Sequence, residues 1–136
     1  MAEYSLINPT LVPVGSAVPY NNVICGGGCN VRHRGGSGIV TVKGGSCCKP
    51  VRYRVSFHAN VTGVAGAIQL QLFADGEPLP ETLMSVVPAS AADVWSVDAE
   101  TEVCTECSCT NITARVITGA TVTVNTASII VQKESA

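Results

Sequence analysis

Seven cysteines are the side chains of this sequence best suited to chemistry, and they form three groups along the chain. The groups are Cys25 with Cys29, Cys47 with Cys48, and Cys104 with Cys107 and Cys109. Two thiolates separated by two residues can bind one tetrahedral zinc ion, and Cys104 and Cys107 have that spacing. The other ligands would have to come from groups that are distant in sequence, and the overall spacing matches no known finger or ribbon.

Disulfides are a second interpretation of these cysteines. They suit a particle that must survive outside a cell, and each would add roughly 2 to 4 kcal/mol of stability. The odd number leaves one thiol over, either free or shared across a subunit boundary. A third interpretation is that the cysteines stay reduced and pack as small, buried or half-buried residues. The sequence leaves these alternatives open, and we predict no bound metal and no cofactor.

Nucleophilic catalysis would need a histidine as base, and the chain has only His33 and His58. His58 lies beside Arg54 on the polar side of a predicted strand, and His33 has no acidic partner nearby in sequence. The glycines at 26–28 and 35–38 precede no helix and lack the GK[ST] ending of a phosphate-binding loop, so they indicate turns. We therefore predict that the chain has no catalytic site and is not an enzyme.

Composition restricts the classes of partner. The 136 residues are 46% hydrophobic but only 13% charged, with a net charge of −2. Nucleic acid binding needs a positive stripe, which this balance disfavours. No apolar run approaches the roughly 20 residues that cross a bilayer, and the first residues lack the pattern of a signal peptide. We expect no nucleic acid or membrane partner, synthesis in the host cytoplasm without a signal peptide, and a surface suited to burial against neighbours.

The elements that would position these side chains are almost all strands. Residues 51–61 alternate apolar and polar side chains, and residues 67–74 do the same before the tight-turn pair Asp75 and Gly76. Further strands are predicted at 39–43, 81–87, 93–103, 111–118, 120–126 and 127–133. Eight to ten short strands with turn signals between them are typical of an antiparallel sandwich or barrel.

The first 20 residues differ from the rest. Pro9, Pro13 and Pro19 are widely spaced among small and apolar residues, which predicts an extended N-terminal arm over residues 1–20, followed by a single domain over residues 21–136. We expect the arm to attach to a particle or to a neighbouring subunit. The exposed polar strand faces supply the candidate interface residues, which are Arg52, Arg54, His58, Gln69 and Gln71.

Three segments carry a resemblance to a known fold. Residues 53–61 and 68–79 are similar to the central strands of trimeric jelly rolls of the tumour necrosis factor (TNF) and complement globular-head type, and residues 127–131 are similar to their last strand. The resemblance implies an all-β, antiparallel jelly-roll sandwich that forms a homotrimer.

A second resemblance concerns the role. Residues 33–44, the turn at 75–80 and the segment 84–88 resemble small virion surface proteins encoded in prophages of gut Gram-positive bacteria. This implies a structural phage component at the virion surface, as a trimeric capsid decoration or head-fibre protein bound to capsid or other virion proteins through the arm. The alternatives are a receptor- or glycan-binding tip of a phage tail or fibre, and a bacterial spore-surface protein.

Overall fold

The computed structural model of the chain describes residues 2–26, 30–44, 50–62, 66–90, 92–105, 108–118 and 121–135. A single 3₁₀ turn spans Pro80–Thr82, and none of the described residues belongs to a helix long and apolar enough to cross a membrane. The strands are β1 (Ala2–Leu6), β2 (Thr10–Val12), β3 (Asn22–Cys25), β4 (Val31–His33), β5 (Val40–Val42), β6 (Val51–Thr62), β7 (Ile68–Ala74), β8 (Glu77–Pro78), β9 (Met84–Val86), β10 (Trp95–Thr105), β11 (Thr110–Thr118) and β12 (Val122–Ser135).

The strands form two sheets. The first sheet has the order β10-β6-β12-β1-β3, with β2 beside the start of β12. The second sheet has the order β4-β5-β11-β7-β8, with β9 also paired to β7. All of these pairings are antiparallel. The predicted all-β, antiparallel jelly-roll sandwich is therefore confirmed.

The core lies between the two sheets and follows the alternation that the sequence predicts. In β6, every second residue from Val51 to Val61 is buried, and the residues between them face outward. Tyr53 and Phe57 are the largest of these buried side chains. Each fully buried Val, Leu, Ile or Phe contributes roughly 1.5 to 3 kcal/mol to folding. The single tryptophan, Trp95, is 43% exposed, so aliphatic side chains fill most of the core.

Two sequence-based predictions, of a turn and of a strand boundary, have different outcomes in the structure. The predicted turn at Asp75 and Gly76 is confirmed, with φ angles of 51° and 81° that suit a tight hairpin. The predicted division into strands 120–126 and 127–133 is wrong, because residues 122–135 form one strand with a register shift between Val124 and Thr126. An irregularity of this kind absorbs one extra residue while the hydrogen-bonded ladder continues on both sides.

The N-terminal segment is the main correction to the sequence-based prediction. β1 lies inside the first sheet between β12 and β3, and its residues Ala2, Tyr4 and Leu6 are buried. Further along, the backbone N–H of Val18 donates a hydrogen bond of 2.8 Å to the carbonyl of Ala114 in the second sheet. Of the predicted arm over residues 1–20, the described residues 2–20 are extended, but they are part of both sheets rather than a separate arm. Pro9, Pro13 and Pro19 lie outside the strands, so they remove no hydrogen bond from the strand ladders.

Candidate functional site

The flanks of three cysteine-bearing segments meet at one end of the sandwich. The N–H of Lys43 donates to the carbonyl of Asn30 at 2.7 Å, and the hydroxyl of Thr105 lies 3.3 Å from the carbonyl of Val51. The hydroxyl of Tyr53 also donates to the carbonyl of Lys43, at 2.8 Å. These residues border segments 27–29, 45–49 and 106–107. Cys29, Cys47, Cys48 and Cys107 themselves lie outside the described residues. Cysteine groups that are distant in sequence therefore have neighbouring flanks.

The described cysteines are all at the surface. Cys25, Cys104 and Cys109 are exposed, so the interpretation of buried or half-buried thiols is wrong for these three. Their strand positions explain this, because β3 and β10 are the two edges of the first sheet and Cys109 precedes β11. Within the described part of the chain, no group of three or more Cys, His, Asp or Glu side chains is placed to bind a metal ion.

Burial raises the pKa of the Tyr53 phenol, and the neighbouring charge of Cys109 raises it further. The hydrogen bond to the Lys43 carbonyl acts in the opposite direction. Tyr53 is fully buried among the inward-facing residues of β6, so its ring holds this end of the core while its hydroxyl reaches the border of the cysteine-bearing end. The protonated phenol is therefore the form that the fold retains.

The outer face of the first sheet carries a cluster of charges around Arg54. Its Nε lies 2.7 Å from a carboxylate oxygen of Glu134, and its other nitrogens lie 3.5 Å from Glu100 and 3.8 Å from Glu102. The Arg54 side chain is 48% exposed, and exposed ion pairs are each worth at most about 1 kcal/mol. The neighbouring Arg52 approaches Glu102 at 4.0 Å. Both predicted interface arginines are thus present on this face with their charges balanced.

The same face aligns an aspartate, a histidine and a serine. Strand register places Asp98 opposite His58, and His58 opposite Ser128. The three residues line an open groove of about 410 Å³. A hydrolytic triad requires a serine–histidine and a histidine–aspartate hydrogen bond. No hydrogen bond joins these side chains within the described part of the chain, so the residue types are present without the contacts of a triad.

The five predicted interface residues do not share a surface. Arg52, Arg54 and His58 lie on the outer face of the first sheet, whereas Gln69 and Gln71 lie on the outer side of β7 in the second sheet. Gln71 is 9% exposed and donates a hydrogen bond of 2.9 Å to the Leu79 carbonyl. Its amide therefore holds the β7–β8 connection. Alternation within a strand can be predicted from sequence, but the side of the sandwich to which each strand belongs cannot.

His33 faces inward between two tyrosine rings. The centroid of its ring lies 4.6 Å from that of Tyr4 and 5.8 Å from that of Tyr20. His33 Nε2 lies 2.7 Å from the Ser37 carbonyl, which can only accept a hydrogen bond, so Nε2 carries a proton. His33 Nδ1 and the Tyr20 hydroxyl are buried, and neither has a hydrogen-bond partner among the described residues.

Exposed apolar side chains lie near both edges of the first sheet. The β10-side group consists of Val94 and Trp95 at the start of β10, together with Leu83 and Val87, which flank the neighbouring β9. The β3-side group consists of Ile7, Leu11, Val23 and Ile24, which lie in or next to β1, β2 and β3. Each of these side chains is at least 43% exposed. Scattered exposed apolar residues are ordinary, but groups of this kind mark interaction surfaces. Sequence alternation missed both groups, because they lie at strand ends and edges.

One member of each apolar group lies at the same level along the strands. Trp95 is opposite Val61, Val61 is opposite Val124, and Val124 is opposite Thr10, which directly precedes Leu11. Val23 lies further along, because it is opposite Tyr4, which aligns with Ile129, Phe57 and Ala99 in the successive strands. A second copy of the chain could therefore place its Leu11 against Trp95 by rotation, without a shift along the strand direction.

Comparison with known proteins supports the fold but identifies no protein family. No protein-family model matches this sequence, and no curated protein matches it. Similar solved structures include the globular domain of zebrafish complement 1qA protein, with 14% identity, a TM-score of 0.68 and coverage of 95% of this chain and 94% of that chain. The TNF Eiger from S. frugiperda has 11% identity, a TM-score of 0.69 and coverage of 99% and 92%. Murine APRIL at pH 5.0 has 12% identity, a TM-score of 0.59 and coverage of 94% and 97%. The chain therefore has a jelly-roll fold like that of TNF and complement globular domains.

Proposed function

We propose that this chain is the subunit of a homotrimer with a structural role at the surface of a phage virion, as a capsid decoration or head-fibre protein. The observation that carries the proposal is the pair of exposed apolar groups on opposite sides of one sheet.

Two different groups on one subunit favour a head-to-tail contact between copies. In such a contact, the Trp95 side of one subunit packs against the Leu11 side of the next, and repetition generates either a closed ring or an open filament. Trp95 and Leu11 lie at the same level along the strands, so repetition of a contact between them involves rotation with little translation. This geometry favours a closed ring.

Three subunits is the number suggested by the fold. Domains of the TNF and complement type are typically homotrimers, and this chain shares their jelly-roll architecture. A ring with the two groups in contact would turn the outer face of the first sheet toward neighbouring subunits. The balanced charges around Arg54 suit such a position, because each buried or half-buried charge would already have a partner.

Placement on a virion rests on the sequence resemblance over residues 33–44, 75–80 and 84–88. Residues 2–20 are built into both sheets, so attachment to the particle would use another surface. A receptor- or glycan-binding tip module is the second candidate, and it is favoured by a basic groove on the second sheet, which Arg32, Arg34 and Thr41 help to line. A ring of three such domains would present three copies of that groove.

Mass in solution tests the assembly, and particle purification tests the location. Light scattering at micromolar concentration should give three times the 14.0 kDa of one chain. A stable monomer would remove the assembly proposal. Particles released by lysis of the producing strain should retain the protein through density-gradient purification, and the neighbouring genes should encode capsid or tail proteins. Protein found only in the soluble fraction would argue against the virion location.

A further inference from the structure

An open groove of about 550 Å³ lies on the second sheet along β4 and β5. Arg32, His33, Arg34, Ser37, Ile39 and Thr41 line it. Because side chains alternate along a strand, Arg32 lies on the outer side of β4 while His33 points inward to the tyrosine rings. Arg34 directly follows the end of β4 and is also exposed. Thr41 lies directly opposite Arg32 in the β4–β5 register. β4 is the edge strand of its sheet, so one long side of the groove is open.

The groove carries unbalanced positive charge. A smaller adjacent cavity of about 80 Å³ shares Arg32 and Thr41 and adds Lys43, which makes three cations along one edge. Within the described residues, no carboxylate lies within 4.0 Å of Arg32, Arg34 or Lys43. Arg54 on the first sheet, in contrast, has three carboxylate neighbours. The chain has a net charge of −2, so the positive charge of this edge is opposite in sign to the net charge of the protein.

Polar and apolar groups complete the lining. The Thr41 hydroxyl donates to Asn111 Oδ1 at 2.7 Å, so its own lone pairs can accept hydrogen bonds from a ligand. Ile39 is 45% exposed and offers an apolar surface beside these polar groups. Arginine forks bind carboxylate or sulfate groups with two parallel hydrogen bonds, and hydroxyl oxygens suit polyols. The lining therefore combines anion recognition with contacts for a polyhydroxylated ring.

We propose that this groove binds an acidic saccharide, with a carboxylate or sulfate held by Arg32 and Arg34. The sugar ring lies over Ile39 and the Thr41 hydroxyl, and Lys43 attracts a second negative charge. The volume falls within the ordinary range of about 300 to 1,000 Å³ for small-ligand sites. A nucleic acid is a poorer ligand, because it needs a longer positive stripe than these three cations provide and the remaining surface is acidic.

The site belongs to one subunit and is separate from the proposed assembly surface. It lies on the β4 edge of the second sheet, whereas the two apolar groups flank the first sheet. Saccharide binding therefore does not depend on trimer formation. A wild-type chain that is monomeric but still binds would overturn the assembly proposal alone, and a wild-type trimer without binding would overturn this inference alone.

Titration of the full chain with three related trisaccharide or disaccharide probes tests the proposal. Sialyllactose carries a carboxylate, sulfated lactose carries a sulfate, and unmodified lactose carries neither. Calorimetry should detect at least one acidic probe and not lactose, with affinity that falls as salt increases. Amide and arginine Nε–H resonances of Arg32, Arg34 and Thr41 should shift on binding. The acidic probe that binds more tightly will show whether the groove prefers a carboxylate or a sulfate.

Substitutions distinguish binding in the groove from a general effect of positive charge on affinity. R32Q and R34Q should each weaken binding of the acidic probe by about tenfold, because each removes a charge-assisted hydrogen-bonding fork. K133Q is the matched control, since Lys133 is an exposed cation on the first sheet, and it should change the affinity less than twofold. Absence of binding by both acidic probes, or equal weakening by K133Q and R32Q, would overturn the proposal. Tighter binding to single-stranded DNA than to either saccharide would also overturn it.

Discussion

The buried hydroxyl of Tyr53 donates a 2.8 Å hydrogen bond to the backbone carbonyl of Lys43, which joins the first sheet to the end of β5. Tyr53 belongs to the core alternation of β6, and Lys43 borders the cysteine-bearing end of the molecule. The hydroxyl of Thr105 approaches the same carbonyl at 3.4 Å. One backbone oxygen thus connects three segments that are far apart in sequence.

Removal of the Tyr53 hydroxyl should destabilise the fold. Y53F loses the bond to Lys43 and leaves that carbonyl only the longer contact with Thr105, so the free energy of unfolding should fall by about 1 kcal/mol in urea titration. Y20F is the matched control, because the Tyr20 hydroxyl is buried without a partner, and its removal should leave stability unchanged or raise it by about 1 kcal/mol. A larger loss for Y20F than for Y53F would contradict both assignments.

Stability should decrease in alkaline solution through Tyr20. Burial raises the pKa of its phenol well above the ordinary value of 10.0, so the folded state keeps the proton while the unfolded chain loses it. The contribution is fully present below about pH 10 and decreases above it by about 1.4 kcal/mol per pH unit. Urea unfolding between about pH 9 and about pH 11 should therefore show a shallower decrease for Y20F than for the wild type. Identical slopes would show that Tyr20 ionises equally in both states.

Packing of the N-terminal segment can be tested at Gly38. A Cβ at this position would lie 2.7 Å from both the Cβ of Ala17 and the carbonyl oxygen of Val18. G38A should lower the free energy of unfolding by roughly 1 to 3 kcal/mol, as overpacking commonly does. G35A is the control, because nothing lies within 4 Å of its added Cβ, and it should be neutral or slightly stabilising. Equal stability of the two variants would mean that residues 17 and 18 do not pack against this loop.

The apolar groups should determine assembly. W95S and L11S each remove one side of the head-to-tail contact, so each variant should have the mass of a single chain by light scattering. I39S is the control, since Ile39 is 45% exposed but lies on the second sheet, and it should retain the mass of the trimer. Circular dichroism should show the same strand content in all three.

Mixing the two assembly variants distinguishes a head-to-tail contact from a symmetric one. The intact Leu11 side of W95S can pair with the intact Trp95 side of L11S, and the resulting pair has no further intact contact. The mixture should therefore contain a dimer with one copy of each variant, detectable by native mass spectrometry. A mixture that remains monomeric while the wild type is trimeric would contradict the head-to-tail arrangement.

The cysteine-bearing end should be sensitive to oxidation. Neighbouring flanks and exposed Cys104 and Cys109 favour disulfide formation with oxidised glutathione, which should change mobility in non-reducing electrophoresis and raise stability by roughly 2 to 4 kcal/mol. Reduction of the oxidised protein should reverse both the change in mobility and the gain in stability. Elemental measurement should find no stoichiometric zinc. Unchanged mobility without metal would eliminate both the disulfide and the zinc interpretations.

Sequence alone determined the local features of this protein. The alternation of residues 51–61 and the Asp75–Gly76 turn depend on residues adjacent in the chain, whose side-chain period and backbone preferences act without tertiary context. The short strand-like runs with turn signals between them and the absence of long helical periodicity were likewise sufficient to predict an all-β sandwich.

Only the tertiary structure decided which of these local features meet. Residues 1–20 look like a free arm in sequence, because their strand partners in β12 and β11 lie about a hundred residues away. The neighbouring flanks of the cysteine groups, and the contrast between paired Arg54 and the unpaired cations of the basic groove, depend on the same long-range pairing. Strand order and sheet assignment come from closing the whole sandwich around one core, and no local pattern contains that information.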